Sequence, residues 1–319
     1  MRQRNRTGLA LTAMAAASAA AFLSLVAPAA AKTPEGAAAV PATSERASPP
    51  IWRLADEDSE IWLLGTFHIL PPGLDWRSDA VAAAADAAET YWFEAEVDTP
   101  AAQQKTMQIM KLQGRNKPGV TLTSLLGADD GARLAAVAAD VGLTMAMLDP
   151  MRPWQAFLII SVQFIVAQGF DPAAGVETTL LKEARARGRQ LRFFESVDQQ
   201  LGLFTNLSPQ AEKKLLLVTL RDWDKQKADF DALFDAWRTG DAAAIDRLMN
   251  EPLLDEAPDI YAILVADRNK VWADQIAEAM SGSGKVLVAV GAGHLVGDGS
   301  VPALLREKGF AVERFGAQE

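Results

Sequence analysis

Two short apolar runs near opposite ends of the chain set the frame for what lies between them. Ile61–Leu64 and Lys285–Val290 are the length of strands, and both are followed by the same pattern, Gly65-Thr66-Phe67-His68 and Gly291-Ala292-Gly293-His294. A glycine at a strand end permits a sharp turn and a close backbone approach. A histidine three residues later then projects from the strand's carboxyl end, where α/β sheets bind ligands. These are the only two histidines among 319 residues, and the chain has no cysteine. Disulfides, thiolate zinc sites, iron–sulfur clusters and cysteine nucleophiles are therefore excluded. Two imidazoles brought to one sheet edge would supply two metal ligands, or one ligand and one proton carrier.

The rest of the chain alternates. Ile51–Leu54 and Ile61–Leu64 flank Ala55-Asp56-Glu57-Asp58-Ser59, which predicts a β-hairpin with an acidic turn. The stretch 79–89 reads as helix, and the aromatic, β-branched Thr90–Val97 as strand. Helical periodicity follows over 100–113, 129–142 and 172–187. Trp154–Gln168 carries no charge but holds three glutamines and a serine, so it predicts a buried helix rather than a membrane span. Gln190–Phe194 reads as strand. Residues 208–282 read as a helical middle or insert, broken near Gly240 and Pro252–Pro258. Val301–Lys308 is a helix opened by Ser300, and Phe310–Phe315 a last strand. Strands at both ends around a helical middle predict an α/β (or α+β) fold, a mixed sheet in a single domain over 51–319.

Residues 1–31 have the layout of a secretory signal peptide. Arg2, Arg4 and Arg6 precede an uncharged Ala/Leu-rich run, and Ala29-Ala30-Ala31 offers a cleavage site. Residues 32–50, rich in Ala, Pro, Ser and Thr, read as a flexible leader. The expected product is an exported protein, periplasmic or extracellular, with no stable membrane span after cleavage. The whole chain carries 31 basic and 41 acidic groups, a formal charge of −10. Removing residues 1–31 takes away three arginines and no acid, so the mature chain is more acidic still. That balance argues against nucleic acid as a partner, because phosphate neutralisation needs surplus Lys and Arg.

With no cysteine, any further metal ligands must be carboxylates. Glu94 and Glu96 are two apart in the aromatic stretch Tyr91–Val97, which predicts a shared sheet face or edge. A charge inside such a strand is costly to bury unless paired or coordinating. Glu195, after Arg192-Phe193-Phe194, repeats the picture of an acid at a strand end.

With these pieces in place the chain resembles the TraB/GumN family, related to the Tiki proteins. The matching segments span most of the mature chain: WLLGTFHIL, WFEAEVD, MRPW, GFDPAAGVETTLLKEARARG, RFFESVDQQL, ADRNKVWADQI and VLVAVGAGHLVGDGSVPALLREKGFAVERF. The resemblance implies a metal-dependent, peptidase-like hydrolase in which two G-x-x-H motifs and an acid form the site. Carried over, His68 and His294 match the motif histidines, and Glu94 the acid after the second core strand. Arg268 and Asn269 match a recurring Arg-Asn pair. Arg268 is expected to hold a substrate carboxylate, to stabilise an oxyanion, or to form a surface ion pair. Asp171 and Glu177, on either side of Gly175, are expected to cap and shape a loop first and to contact ligand second.

The expected cofactor is a divalent metal, Zn, Mn, Co or Fe, between His68, Glu94 and His294, with Glu96 or Glu195 taking the proton from water. The substrate is a peptide or small molecule. One alternative is a metal-free esterase with a histidine base and Arg268 as oxyanion partner. Another is a non-enzymatic haem- or ligand-binding protein of the ChaN-like type, with eight Trp and 13 Phe available to line a pocket. Lys285–Gly297 also mimics a dinucleotide loop, G-x-G-x-x-x-G after a strand. His294 inside that loop, and export away from NAD pools, argue against it.

Overall fold

The computed structural model describes residues 46–221 and 223–316. The expected signal peptide at 1–31 and most of the expected leader at 32–50 lie outside the described residues. The expected hairpin forms as β1 (Ile51–Ala55) against β2 (Ser59–Thr66), antiparallel, with Leu54 opposite Ile61. β3 (Thr90–Ala95), β4 (Gln190–Glu195), β5 (Gly284–Gly291) and the two-residue β6 (Glu313–Arg314) complete a six-stranded sheet in the order β4-β3-β5-β2-β1-β6. β4, β3, β5 and β2 are mutually parallel, while β1 and β6 run antiparallel to their neighbours. This is a mixed sheet within an α/β fold.

The apolar runs explain the order. β2 and β5 are buried along most of their length, so they take the middle of the sheet, Leu63 beside Val288 and Thr66 beside Gly291. β5 thereby wedges between β2 and β3, which joins the two ends of the chain. A parallel sheet sends all its carboxyl ends to one edge. The residues that end β2, β3, β4 and β5 consequently meet there.

Helices cover the sheet. They include α1 (Asp79–Ala87), α2 (Pro100–Gln113), α3 (Leu122–Leu126), α4 (Ala128–Asp140), α5 (Met145–Leu148) and α6 (Pro153–Ala167). α6 is the uncharged stretch, and nearly all of it is buried, including Gln155 and Ser161. Among the described residues no helix is long and apolar enough to cross a membrane. α7 (Val176–Ala186) and α8 (Val197–Thr205) bracket β4. The helical middle resolves into α9 (Pro209–Arg221), α10 (Trp223–Thr239), α11 (Ala242–Glu256), α12 (Pro258–Tyr261), a π-helical turn (Ala262–Ala266) and α13 (Asp267–Ala279). One continuous apolar core includes residues of the sheet, of α6 and of this helical middle, for example Leu63, Phe157, Phe230, Ile245 and Ile276.

The expected break within Pro252–Pro258 falls at Ala257, whose backbone leaves the helical region, with Pro252 still inside α11. Two expectations about elements are corrected. β3 stops at Ala95, so Glu96 lies beyond the strand and does not share a face with Glu94. The last strand is Glu313–Arg314 alone, after α14 (Val301–Glu307), which Ser300 caps as expected.

Candidate functional site

The four parallel strands deliver their acids and histidines to one edge. His68 follows β2, Glu94 lies near the end of β3, Glu195 ends β4, and His294 sits in a short 3-10 turn, Ala292–Leu295, directly after β5. Glu94 is buried and is the centre of the group. Its Oε1 accepts from the Gly291 N–H at 2.9 Å, and its Oε2 from Arg268 Nη2 at 2.7 Å and Gln200 Nε2 at 3.2 Å. The same Oε1 lies 3.9 Å from His68 Nε2 and 4.0 Å from His294 Nε2. The two imidazoles thus converge on one carboxylate oxygen. Gly291 makes the convergence possible, because a Cβ there would stand 3.0 Å from His68 Nε2 and 3.3 Å from Glu94 Oε1.

The two histidines are in opposite electrostatic settings. His68 Nδ1 donates to Glu177 Oε1 at 2.8 Å, and the Thr66 hydroxyl donates to the same oxygen. Burial alone would depress the His68 pKa, but the charge and hydrogen bond of Glu177 outweigh it and hold the value above 6.5. His294 Nδ1 donates to Asn269 Oδ1 at 2.6 Å, since Asn269 uses its amide N–H on the Gly299 carbonyl. Its Nε2 therefore carries a lone pair, which accepts from Arg268 Nη1 at 3.0 Å. Burial, then the neighbouring guanidinium, pushes the His294 pKa down to about 3. The ring is neutral at physiological pH.

Arg268 is buried and fully engaged. Nε and Nη2 bind Glu195 at 2.6 and 3.0 Å, Nη2 also binds Glu94, and Nη1 donates to the Leu264 carbonyl and to His294. All five N–H groups have protein partners. A substrate carboxylate or oxyanion would have to displace one of them, so what the geometry gives Arg268 is the holding of the two acids and His294. Its planar head also lies over the Trp272 ring, with Cζ 4.6 Å from the centroid, and that ring packs 4.5 Å from His294. α13 presents Arg268 and Trp272 together because they are one helical turn apart. Against burial, Arg268 lowers the Glu94 pKa to about 2, whereas burial outweighs the same guanidinium at Glu195 and raises it.

The expected residues divide accordingly. His68, Glu94, His294, Glu195 and Arg268 meet at the edge. Glu96 does not: it pairs with Arg185 at 2.9 Å on the surface. Glu177, expected to act on loop shape first, reaches the site and binds His68. Its helix comes this close because Gly175 has no side chain, and a Cβ there would stand 1.9 Å from the His68 carbonyl oxygen. Among the described residues, the acid–histidine group whose donor atoms lie within 4.8 Å of one another is His68, Glu94 and Glu177. This differs from the expected set of His68, Glu94 and His294; the His294 lone pair is taken by Arg268. Sequence reasoning did not find Gln200 or Trp272. Trp272 is one helical turn beyond Arg268, which is a readable signal; Gln200 has none, since only the tertiary fold, with α8 packed on α2, brings it to Glu94.

The donor set suits a divalent cation. His68 Nε2 and Glu177 Oε2 are buried and have no hydrogen-bond partner. The 3.9 Å between His68 Nε2 and Glu94 Oε1 is about twice a metal–ligand bond of ~2 Å.

The chain is 24% identical over 170 residues to the uncharacterized protein YbaP of Escherichia coli (strain K12), and equally to that of Shigella flexneri; the alignment spans 53% of this chain and 62% of the relative. It is 22% identical over 272 residues to an uncharacterized protein of Treponema pallidum (strain Nichols), covering 81% of this chain and 80% of the relative. No solved structure matches. The sequence profile of one family matches residues 50–314, which contain every residue of the site, and the chain belongs to that family, the TraB/PrgY/gumN family.

Proposed function

We propose that this protein is an exported hydrolase, peptidase-like, that holds a divalent cation between His68 and Glu94, with Glu177 orienting the His68 ring. The observation that carries the reading is the buried Nε2 of His68, which has no partner and lies 3.9 Å from Glu94 Oε1 while Nδ1 is fixed by Glu177. A carboxylate on the far nitrogen of a ligating histidine sets its tautomer and strengthens it as a donor. A divalent cation there supplies Lewis acidity for the attack of water on a carbonyl. Imidazole and carboxylate oxygens suit Zn, Mn, Co or Fe alike. Arg268 keeps Glu94 ionised, and Glu94 in turn fixes the Gly291 backbone. His294, neutral and hydrogen-bonded on both nitrogens, becomes a further ligand where Arg268 Nη1 releases it. Glu195, locked to Arg268, holds that guanidinium in place.

A metal-free reading is favoured by the same pair of residues. Glu177 and His68 form a carboxylate-oriented imidazole with a free Nε2, which is the arrangement of a general base. Elemental analysis of the purified protein separates the two. About one equivalent of metal is expected, lost in His68→Ala and Glu94→Gln, with hydrolysis of peptides or activated esters abolished by chelation and restored by metal. Glu177→Gln should weaken metal binding roughly 10–100-fold. Equal metal content in the parent and both ligand variants, with hydrolysis indifferent to chelator, would establish the base mechanism. A Soret band on adding haem, absent in His68→Ala, would replace both with a haem carrier.

A further inference from the structure

From Thr99 to Ala128 the chain has no Asp or Glu, although 41 acids are spread over its 319 residues. The same stretch holds Lys105, Lys111, Arg115 and Lys117, and the exposed apolar side chains Met107, Leu112 and Leu125. Its helices α2 and α3 meet the start of α9 along a surface groove of about 690 Å³, lined by Leu112, Arg115, Lys117, Val120, Leu125 and Lys213 among others. Leu112 is 67% exposed and Leu125 40%; a lone leucine on a surface needs no explanation, but two in one groove make an apolar strip. Among the described residues Lys111, Arg115 and Lys117 have no carboxylate partner, and the Lys213 ammonium donates to the neutral Leu125 carbonyl at 2.8 Å. The carboxylate in the lining, Glu212, is buried and held by Arg152. Arg115, Lys117 and Lys213 therefore leave the groove positive in a chain that is acidic as a whole. A second groove of about 760 Å³ shares Gln210 and Lys213 with the first, but its Arg133 and Arg221 each pair with an acid of the same protein, Asp130 and Glu256, at 3.1 Å. The uncompensated charge and the exposed leucines thus coincide in the first.

We propose that this groove docks an extended acidic segment of a partner protein, with an aliphatic side chain against Leu112 and Leu125 and carboxylates facing Arg115, Lys117 and Lys213. Charge complementarity selects the occupant. A positive groove on an acidic molecule attracts an acidic chain to this face and repels it from the rest, which sets the orientation of encounter. The Arg115 guanidinium, with no internal carboxylate to hold, offers the planar fork that a carboxylate fills with two hydrogen bonds. A second copy of this chain fits less well, because a two-fold contact sets the same patch against itself and would oppose cation to cation. A planar lipid headgroup layer would meet the rim and leave the concave floor empty. Peptide side chains enter such a floor, and the exposed leucines give them an apolar surface to cover. Because the cations are exposed, salt screens them, and binding should weaken as ionic strength rises.

The test uses the full protein and a fluorescein-labelled peptide of sequence DELDDELEDD, read by fluorescence anisotropy. Saturable binding is expected, weakening roughly tenfold or more between about 0.05 and 0.5 M salt. The double variant Arg115→Glu with Lys117→Glu should weaken it by a further tenfold or so, with an unchanged urea midpoint because both side chains are exposed. Leu112→Ser should weaken the same peptide but not a version carrying Ser in place of both Leu, which isolates the apolar contact. A version with Lys in place of every acid should not bind. Absence of binding by the acidic peptide, or binding that the double charge reversal leaves unchanged, overturns the proposal. Two further measurements identify the rival occupants. Sedimentation with phosphatidylglycerol vesicles that the double variant abolishes, without peptide binding, would replace the partner segment with a lipid surface. Concentration-dependent dimerisation lost in the double variant, without peptide binding, would replace it with a second copy.

Discussion

Glu94, His294 and His68 titrate in directions that give the protein a definite pH signature. Burial and Arg268 hold His294 neutral, its pKa falling from 6.5 to about 3. In that interval the unfolded chain binds a proton that the folded chain does not, so stability falls as pH drops below 6.5, by up to about 1.4 kcal/mol per pH unit. Glu94, taken from 4.5 to about 2, adds a second loss below pH 4.5. His68 acts the other way: its pKa is raised, so its contribution is full below 6.5 and disappears as pH rises through the folded value. The metal-free protein should therefore be most stable near neutrality, and its Tm should decline steadily from pH 6.5 to 4.5. His294→Gln should flatten that decline in a calorimetric pH series. An unchanged slope in the variant would mean that His294 is protonated in the fold. The histidines were legible as a pair because both follow a strand and G-x-x. The opposite directions of their pKa values were not, since these depend on Glu177 and Arg268, which lie 109 and 26 positions away in sequence.

At the level of elements, the site is a product of strand register. β2 and β5 pair in parallel with Gly65 beside Val290 and Thr66 beside Gly291, so both motifs leave the sheet at the same height. They also touch, a Cβ on Gly65 standing 3.3 Å from Ala292 Cα. Gly291→Ala is the sharpest probe of this register, because the added methyl would meet His68 Nε2 at 3.0 Å and Glu94 Oε1 at 3.3 Å. Metal uptake should fall tenfold or more. The global cost should stay near the 1–3 kcal/mol of a modest overpacking, which urea unfolding would measure. Normal metal content in a folded Gly291→Ala protein would show that His68 and Glu94 do not hold one metal ion together. Elements were legible where the pattern was long or the run unbroken: the hairpin, the aromatic strand and the uncharged helix. α3 and α5, of five and four residues, are too short to display a period. Glu96 was misplaced because alternation persists in sequence for one residue more than the strand does in space.

The helical middle is where the whole molecule decides the question. In sequence it resembles an insertion, yet its side chains hold both histidine loops. Trp237 Nε1 donates to Gly65 O, and Asn250 Nδ2 donates to Gly293 O at 2.9 Å and Val296 O at 3.1 Å. Asn269 and Arg268 clamp His294, and Phe67 packs against Phe230, Phe234 and Trp237 with ring centroids 5.5–6.0 Å apart. An insertion with its own core would unfold by itself; one that shares the sheet's core cannot. Far-UV ellipticity, dominated by the helices, and tryptophan fluorescence, which reports Trp62 and Trp92 on the sheet as well as Trp237, should trace one coincident transition in urea. Trp237→Phe, which removes one buried hydrogen bond to the first motif, should lower the midpoint by about 1 kcal/mol equivalent without splitting the curve. Two separated transitions would mean that residues 209–279 fold as a unit apart. The convergence of His68 and His294 would then depend on docking between units, and activity would be lost at the first transition. A single transition instead makes the site a property of the complete fold, so that any truncation within the helical middle removes the sheet-edge geometry along with the helices.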